Sequence, residues 1–440
     1  MPDSPLKILY LTPGAGGMYC GSCLSDNMLV AAASQLGHAV CLVPLYTPIR
    51  TDEPNQSIDE LFFGGINVYL QQKIPFFRFL PRAIDRVLDQ PGLVRKLAGN
   101  ASSVDAAQLG ALTLSMVRGE HGNQRKEVRR LVDWLAGQPT FDVINLSNLL
   151  IAGCVPALKS RLNVPIVATL QGDDLFIDEL PDSYRDKVLR QLRDLAGGID
   201  RFIVHTQFYA DAMSEYFGID RASIDVVPLG ISLDDIPAAL EPPAAKRPPT
   251  LGYLARVCPA KGLHILVDAF LELKSRPGRG DLRLEVAGWL SDPDRDYFAD
   301  QQSRIAAAGF ADDFSYAGVL ERAEKWKFLQ GLDIFSVPAT YAEPKGRYVL
   351  ESLAAGVPVV QPRLGAFPEL LQRSGGGCLS RPGDPQHLAD TLQELLDDLQ
   401  RRHELGEQGR AAVQAECHAA AAAQRTIAVY RKCLAGSGKI

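Results

Sequence analysis

The chain has 440 residues, 46% of them hydrophobic and 22% charged, and a formal net charge of −6. This length exceeds one ordinary core and points to two domains of a globular protein, while the acidic balance leaves no electrostatic footprint for nucleic acid. No apolar run is long enough to span a bilayer, the opening Met1-Pro2-Asp3-Ser4-Pro5 lacks the basic region of a signal peptide, and eight cysteines in so long a chain fit a reducing cytoplasm better than a disulfide framework.

Residues 6–11 form a short apolar run that ends in Thr12-Pro13-Gly14-Ala15-Gly16-Gly17, a buried strand followed by a glycine loop. Residues 22–36 have a helical pattern closed by Gly37-His38, and 39–45 read as a second strand. Residues 47–125 break this rhythm with Pro, Phe and Arg and read as an insertion. Strands are then expected at 141–146, 165–170, 201–205 and 223–227, with helical stretches between them. Alternation of this kind predicts a parallel sheet with helices on both faces. Residues 234–250 carry five prolines and almost no apolar periodicity, the mark of a linker. The same logic restarts with strands at 251–255, 282–287, 314–316, 334–337 and 357–361. The expected organisation is a first domain at 1–233, a linker at 234–250, a second domain at 251–415 and an alanine-rich helix at 416–440.

The chemically most specific stretch is Glu343-Pro344-Lys345-Gly346-Arg347-Tyr348-Val349-Leu350-Glu351. Pro344 and Gly346 open a helix, and Gly356 with Pro358 closes it. The helix start offers N–H groups suited to a phosphate, with one carboxylate on either side. A molecule with a central anion and hydroxyls at both ends, such as a nucleotide-sugar, fits that layout; two solvated glutamates on a surface helix would share the spacing. A second cluster places Arg256 at a strand end and Lys261-Gly262 at the next helix start. Both belong to the carboxyl edge of a parallel sheet, where two cations can clamp a diphosphate and stabilise a departing nucleotide.

The glycine loop also invites a dinucleotide reading, which fails twice. The third glycine of G-x-G-x-x-G falls at Tyr19, and the second strand ends in Leu45-Tyr46 without an acid for a ribose. Cys20 and Cys23 form a C-x-x-C pair at a helix start, open to packing, redox or metal roles, but no second Cys or His pair stands at zinc spacing. Asp26 and Asn27 follow on the same helix. Asn145 and Ser147 lie just past one strand and Gln171, Asp173 and Asp174 past the next. They suit hydrogen bonding to sugar hydroxyls more than base catalysis, and the acidic pair reads as a solvated loop rather than a metal site. His205 and Thr206 end a further strand. Arg78, Arg82 and Arg86 lie four apart on one helical face, a pattern compatible with a lid, with packing of the insertion, or with peripheral membrane contact through 74–98 at the inner face of the membrane.

With the two glutamates and the Arg256…Lys261-Gly262 pair, the chain resembles the retaining glycosyltransferases of family 4, and the stretch from Tyr19 to Asn27 is similar to a bacterial subgroup of that family. The resemblance implies the GT-B fold, an α/β architecture of two Rossmann-like parallel-sheet domains facing across a cleft, with the last helix packed back on the first domain. It implies transfer of a hexose from a nucleoside-diphosphate sugar to an acceptor hydroxyl of a glycan, lipid or small molecule. It also implies roles for individual residues. Glu343, Arg256 and Lys261 would be catalytic, Glu343 on the sugar hydroxyls and the two cations on the phosphate. Glu351 would hold the ribose, and the backbone at Gly346, Arg347 and Tyr348 the diphosphate. Gly16, Gly17, Val319 and Lys345 would complete the donor side, and Asn27, Asn145, Ser147, Gln171 and Asp173 the acceptor side. No metal and no cofactor beyond the donor is expected. The chain departs from the family pattern at Lys345 and Arg347, where apolar residues are usual, and at Asn145, Ser147 and Gln171, where relatives often have histidine. A sugar phosphorylase or nucleotide-sugar epimerase on the same fold, or a non-catalytic sugar-nucleotide-binding protein, are the competing readings.

Overall fold

The computed structural model describes residues 4–14, 20–63, 106–236 and 247–436. The chain divides into two units, Met1–Pro228 with Ala419–Ile440, and Leu229–His418.

In the first unit, β1 (Lys7–Thr12), β2 (Ala39–Pro44), β3 (Val143–Leu146), β4 (Ile166–Thr169), β5 (Arg201–Val204) and β6 (Ile224–Val226) form one sheet in the order β2-β1-β3-β4-β5-β6. Every pairing is parallel. Strands buried on both faces need side chains that are apolar in both directions. Accordingly Leu9, Leu11, Ile144 and Leu146 enter one core cluster, and Ile8, Val143 and Val167 enter another. The second face is covered by the Gly21–Gln35 and Ala419–Gly436 helices, whose Ala32, Ala33, Ala423, Ile427 and Tyr430 pack there. The last helix of the chain is thus part of the first unit.

The sequence marks 47–125 as an insertion, but its two described ends are built into the unit's core. Leu61, Phe62 and Phe63 are buried, the Phe63 N–H donates to the Leu45 carbonyl at 2.7 Å, and Arg130 donates to the carbonyls of Leu61 and Phe62, both at 2.6 Å. The Ala106–Val117 helix packs on the Asp182–Ala196 helix. Residues 64–105, with Arg78, Arg82, Arg86 and the whole candidate membrane segment 74–98, lie outside the described residues, as do Gly16, Gly17 and 237–246 of the expected linker. No described helix is long and apolar enough to cross a membrane.

The second unit repeats the architecture with β7 (Thr250–Leu254), β8 (Arg283–Ala287), β9 (Phe314–Tyr316), β10 (Ile334–Phe335), β11 (Val359–Pro362) and β12 (Gly377–Ser380), in the order β12-β11-β10-β7-β8-β9. Leu229 and Ile231 belong to its core, so the division falls at Pro228, ahead of the expected 233. β12, absent from the sequence expectation, is a partly exposed edge strand, Gly-Cys-Leu-Ser, without an apolar run. In each sheet the strand order reverses beside the first strand, between β1 and β3 and between β7 and β10. Carboxyl ends at such a reversal are where parallel α/β sheets bind ligands.

Candidate functional site

The reversal in the second unit brings together the loops after β7 and β10. β7 leads through Arg256 to a 3-10 turn, Pro259–Lys261, and then to the Leu263–Lys274 helix. Gly262 sits at φ +73°, and a Cβ there would fall 1.9 Å from the Pro338 carbonyl. Only glycine lets the two loops approach this closely. The Thr340 N–H donates to the Ala260 carbonyl at 2.9 Å, and the Ala366 N–H to that of Glu343 at 2.8 Å. Gly365, at φ +60°, closes against the Glu343 amide, where a Cβ would come within 2.4 Å. The backbone of Glu343 is therefore pinned before its side chain is considered.

The Glu343 carboxylate is buried. Its Oε2 accepts from Lys261 Nζ at 2.7 Å, Tyr341 OH at 2.8 Å and Tyr348 OH at 3.1 Å. Lys261 also donates to the Tyr341 hydroxyl and lies 4.9 Å from the centroids of both tyrosine rings. Oε1 has one described donor, the Gly346 N–H, at 3.4 Å, beyond the ordinary hydrogen-bond range. Burial alone would raise the pKa of Glu343; the Lys261 ammonium, the Tyr341 hydroxyl and the Gly346 amide outweigh it and hold the value at about 2. Burial and the Glu343 charge push the tyrosine hydroxyls well above their usual range. The site thus contains an ionised carboxylate, an ammonium and two neutral phenols.

The Arg347–Ala354 helix begins at this carboxylate. Gly346, at φ +61°, is its N-cap, and no side chain caps it, so the first N–H groups have no acceptor within the helix. The helix ends as the sequence predicts, with Gly356 at φ +78° and the Val357 N–H on the Ser352 carbonyl at 3.1 Å. Glu351 is buried one turn into the helix. Its Oε1 accepts from Lys325 Nζ at 3.0 Å and from Arg347 Nε at 3.1 Å, and all three side chains are less than a tenth exposed. The unusual Arg347 is therefore an i,i+4 partner of Glu351. Lys345 is also buried, Arg256 is exposed, and Val319 is an exposed apolar residue shortly after β9. Tyr341 and Lys325 escaped the sequence reading. Tyr341 lies two residues from Glu343, a proximity that could have marked it. Lys325 reaches Glu351 from another helix and left no local signal.

In the first unit the reversal is occupied by Asp26, which is 1% exposed. Its carboxylate accepts from Tyr10 OH at 3.0 Å, Thr12 Oγ1 at 2.9 Å, Ser147 Oγ at 2.5 Å and Gln171 Nε2 at 3.1 Å. Asn145 donates to Thr169 Oγ1 at 3.2 Å. Asn27 fixes the loop after β2, donating to the Pro54 carbonyl at 3.1 Å and accepting from the Gln56 N–H at 2.8 Å. Asp173 accepts from the Leu149 N–H at 2.5 Å and the Gln171 N–H at 2.9 Å. Burial raises its pKa to about 6 despite those two bonds. Asp174 accepts from Tyr209 OH at 2.6 Å. The pair expected to be a solvated loop thus makes internal bonds, with Asp173 buried. The five expected acceptor-side residues form a buried polar framework, with Ser147 and Gln171 joined through Asp26. His205 Nδ1 meets the Val227 carbonyl at 2.9 Å, and Thr206 caps the Gln207–Phe217 helix. Cys20 and Cys23 pack in one small cluster with Tyr10 and Leu42. Among the described residues no group of three or more His, Cys, Asp or Glu could hold a metal ion.

Residues 239–412 match the family model for glycosyl transferases group 1, and 115–235 match that for Glycosyltransferase Family 4. A D-inositol 3-phosphate glycosyltransferase of Paenarthrobacter aurescens (strain TC1) is 26% identical over 405 residues, 85% of this chain and 94% of the relative. One from Arthrobacter sp. (strain FB24) is 30% identical over 285 residues, 62% of this chain and 65% of the relative, just under two thirds of that protein's length. Among solved structures, Anabaena HepE in complex with UDP matches 97% of this chain and 100% of its own, with a TM-score of 0.67 at 18% identity, a likeness of fold.

Proposed function

Since the chain belongs to glycosyltransferase family 4 and has the GT-B fold, we propose that it moves a hexose from a nucleoside-diphosphate sugar to an acceptor hydroxyl with retention at the anomeric carbon. The observation that carries this reading is Glu343, ionised, gripped through Oε2 and under-occupied at Oε1, beside a helix start with no side-chain cap. A diphosphate at that helix start would also meet Lys261 and Arg256. Glu343 would then receive the sugar hydroxyls, and Glu351 the ribose.

The chemistry follows from these positions. As the glycosidic C–O bond breaks, its electron pair goes to the β-phosphate oxygen, where Lys261 and Arg256 stabilise the growing negative charge. Positive charge develops on the sugar ring, and the Glu343 carboxylate stabilises it. The departing phosphate oxygen takes the acceptor's proton while the new C–O bond forms on the same face, so no protein nucleophile is needed. Asn27, Asn145, Ser147, Gln171 and Asp173 serve the acceptor side as rigid supports: Ser147 and Gln171 are held by Asp26, Asn145 by Thr169, Asp173 by the Leu149 and Gln171 amides, and Asn27 by the loop after β2. Two cations at the phosphate supply the electrostatic stabilisation that a metal provides in other transferases, and transfer is expected to persist in EDTA. Activity lost to EDTA and restored by a divalent ion would contradict that part.

Thermal melting with UDP-glucose, ADP-glucose and GDP-mannose identifies the donor, because a ligand of the folded state raises the melting temperature. Transfer from that donor is then assayed with an acceptor panel headed by inositol phosphate, the substrate in the relatives' names, and the product's anomeric configuration is read by NMR. An inverted product overturns retention. Release of sugar 1-phosphate only when phosphate is supplied would make the enzyme a phosphorylase.

A further inference from the structure

We propose that Tyr341 and Tyr348 are positioning residues, whose hydroxyls hold Glu343 by Oε2 so that Oε1 faces the donor sugar while Lys261 is shared with the diphosphate. The proposal rests on the nucleotide-sugar reading above and adds two residues to it.

Three observations lead there. First, the donors on Glu343 are unevenly divided. Oε2 takes the ammonium and both phenols within 3.1 Å, whereas Oε1 has, among the described residues, a single amide at 3.4 Å. A carboxylate held through one oxygen has a fixed orientation and lone pairs to offer at the other. Second, an ammonium carries three N–H donors. Lys261 directs two of them to Tyr341 OH and Glu343 Oε2, which leaves one for a phosphate oxygen without breaking the ion pair. Third, a phosphate that draws on Lys261 weakens the one cation that, among the described residues, is bonded to the buried Glu343 carboxylate. Burial then favours protonation of Glu343, which would remove the charge that stabilises the sugar ring. Two neutral O–H donors do not respond to the phosphate, so they keep the carboxylate ionised and oriented at that moment.

The rings contribute separately from the hydroxyls. Tyr348 packs 6.3 Å from both Phe335 and Phe367, centroid to centroid, and both tyrosine rings flank Lys261. Phenylalanine keeps that packing and removes only the O–H. The groups facing Glu343 are Lys261 from the turn after β7, Tyr341 from its own loop and Tyr348 from the helix, with Arg256 and Cys258 acting on Tyr341 and Tyr253 on Tyr348.

The test compares wild type with Tyr341→Phe, Tyr348→Phe and the double variant. It follows hydrolysis of UDP-glucose, ADP-glucose or GDP-mannose, whichever the wild type turns over, from pH 5 to pH 9. The double variant is expected to lose roughly ten- to a hundredfold in kcat, with KM changed less than about threefold. It should also gain an acidic limb, with kcat falling below about pH 6, where the wild type stays flat. Each single variant should show the same trend at about five- to tenfold, which keeps the test valid if the double variant fails to fold. Unchanged kcat and an unchanged pH profile, with or without a lower melting temperature, would leave the hydroxyls a packing role and overturn the proposal alone. A wild type that neither binds nor turns over any of the three donors overturns the donor reading and this role together.

Discussion

Asp26 and Glu343 are buried carboxylates at corresponding places, each beside the point where its parallel sheet reverses strand order. Their surroundings differ in kind. Asp26 takes four side-chain donors across both oxygens, two from β1, one from the loop after β3 and one from the loop after β4. Glu343 takes three donors on one oxygen, including a cation, and keeps the other almost unused. Burial of a charge is tolerable only when it is hydrogen-bonded, and both sites meet that condition. Asp26 meets it completely, which makes it a fastener between strands. Glu343 meets it one-sidedly, which leaves binding capacity for a substrate. In the proposed function, what separates framework from machinery is how the lone pairs are distributed, not burial or residue type.

The largest expected effect tests the machinery half. Glu343→Gln keeps the shape and removes the charge, so kcat should fall by about ten- to a thousandfold with a smaller change in KM. Full kcat in this variant would remove Glu343 from the reaction. Asp26→Ala should behave in the opposite way. It strands donors on Tyr10, Thr12, Ser147 and Gln171, and urea unfolding should show a loss of about 3 kcal/mol or more. A stability close to wild type would mean that the network is not the fastener described.

The pH dependence sharpens the comparison, because two buried carboxylates carry shifts of opposite sign. Asp173 is raised to about 6 in the folded protein, so its ionisation weakens the fold above that pH, and the penalty is relieved as pH falls from 6 toward the unfolded value near 4. Glu343 is lowered to about 2, so its contribution is present above about 4.5 and lost only as pH falls toward 2. The stability difference between Asp173→Asn and wild type, measured by urea unfolding, should therefore change by on the order of 1 kcal/mol between pH 7 and pH 5, with the variant faring better relative to wild type at pH 7 than at pH 5. An unchanged difference would show that burial does not dominate at Asp173.

The smallest effect concerns Arg347. With Lys325 still on Glu351, Arg347→Met should raise the donor KM by about threefold and leave kcat alone, the pattern of lost uniform binding. A large fall in kcat would instead place Arg347 in the chemistry.

Much of the fold was legible because both sheets are buried on both faces, which turns strands into plain apolar runs such as Ile8–Leu11 and Phe202–Val204. β12 was not, because an edge strand of Gly377, Cys378, Leu379 and Ser380 has no such need. The core role of 47–63 was hidden by its composition, since Phe62 and Phe63 enter the core from a loop rather than from a periodic element. At the site, Glu343, Gly346, Glu351 and Gly356 could be read because helix punctuation and acid spacing are local. The partnership of Lys325 with Glu351, and of Asp26 with Ser147 and Gln171, could not, since it depends on contacts 26 to 145 residues apart.

The central claim is that the carboxyl edge between β7 and β10 binds a nucleoside diphosphate through Lys261. Isothermal titration of the intact chain with UDP, ADP and GDP, repeated on Lys261→Ala, addresses it without needing the acceptor. At least one of the three should bind the wild type, and the variant, kept well below its own melting temperature, should bind it roughly ten- to a hundredfold more weakly, the loss of a charge-assisted contact; loss of the ion pair with the buried Glu343 should itself lower the melting temperature. Equal affinity in wild type and variant, or no binding of any of the three to the wild type, would contradict the account.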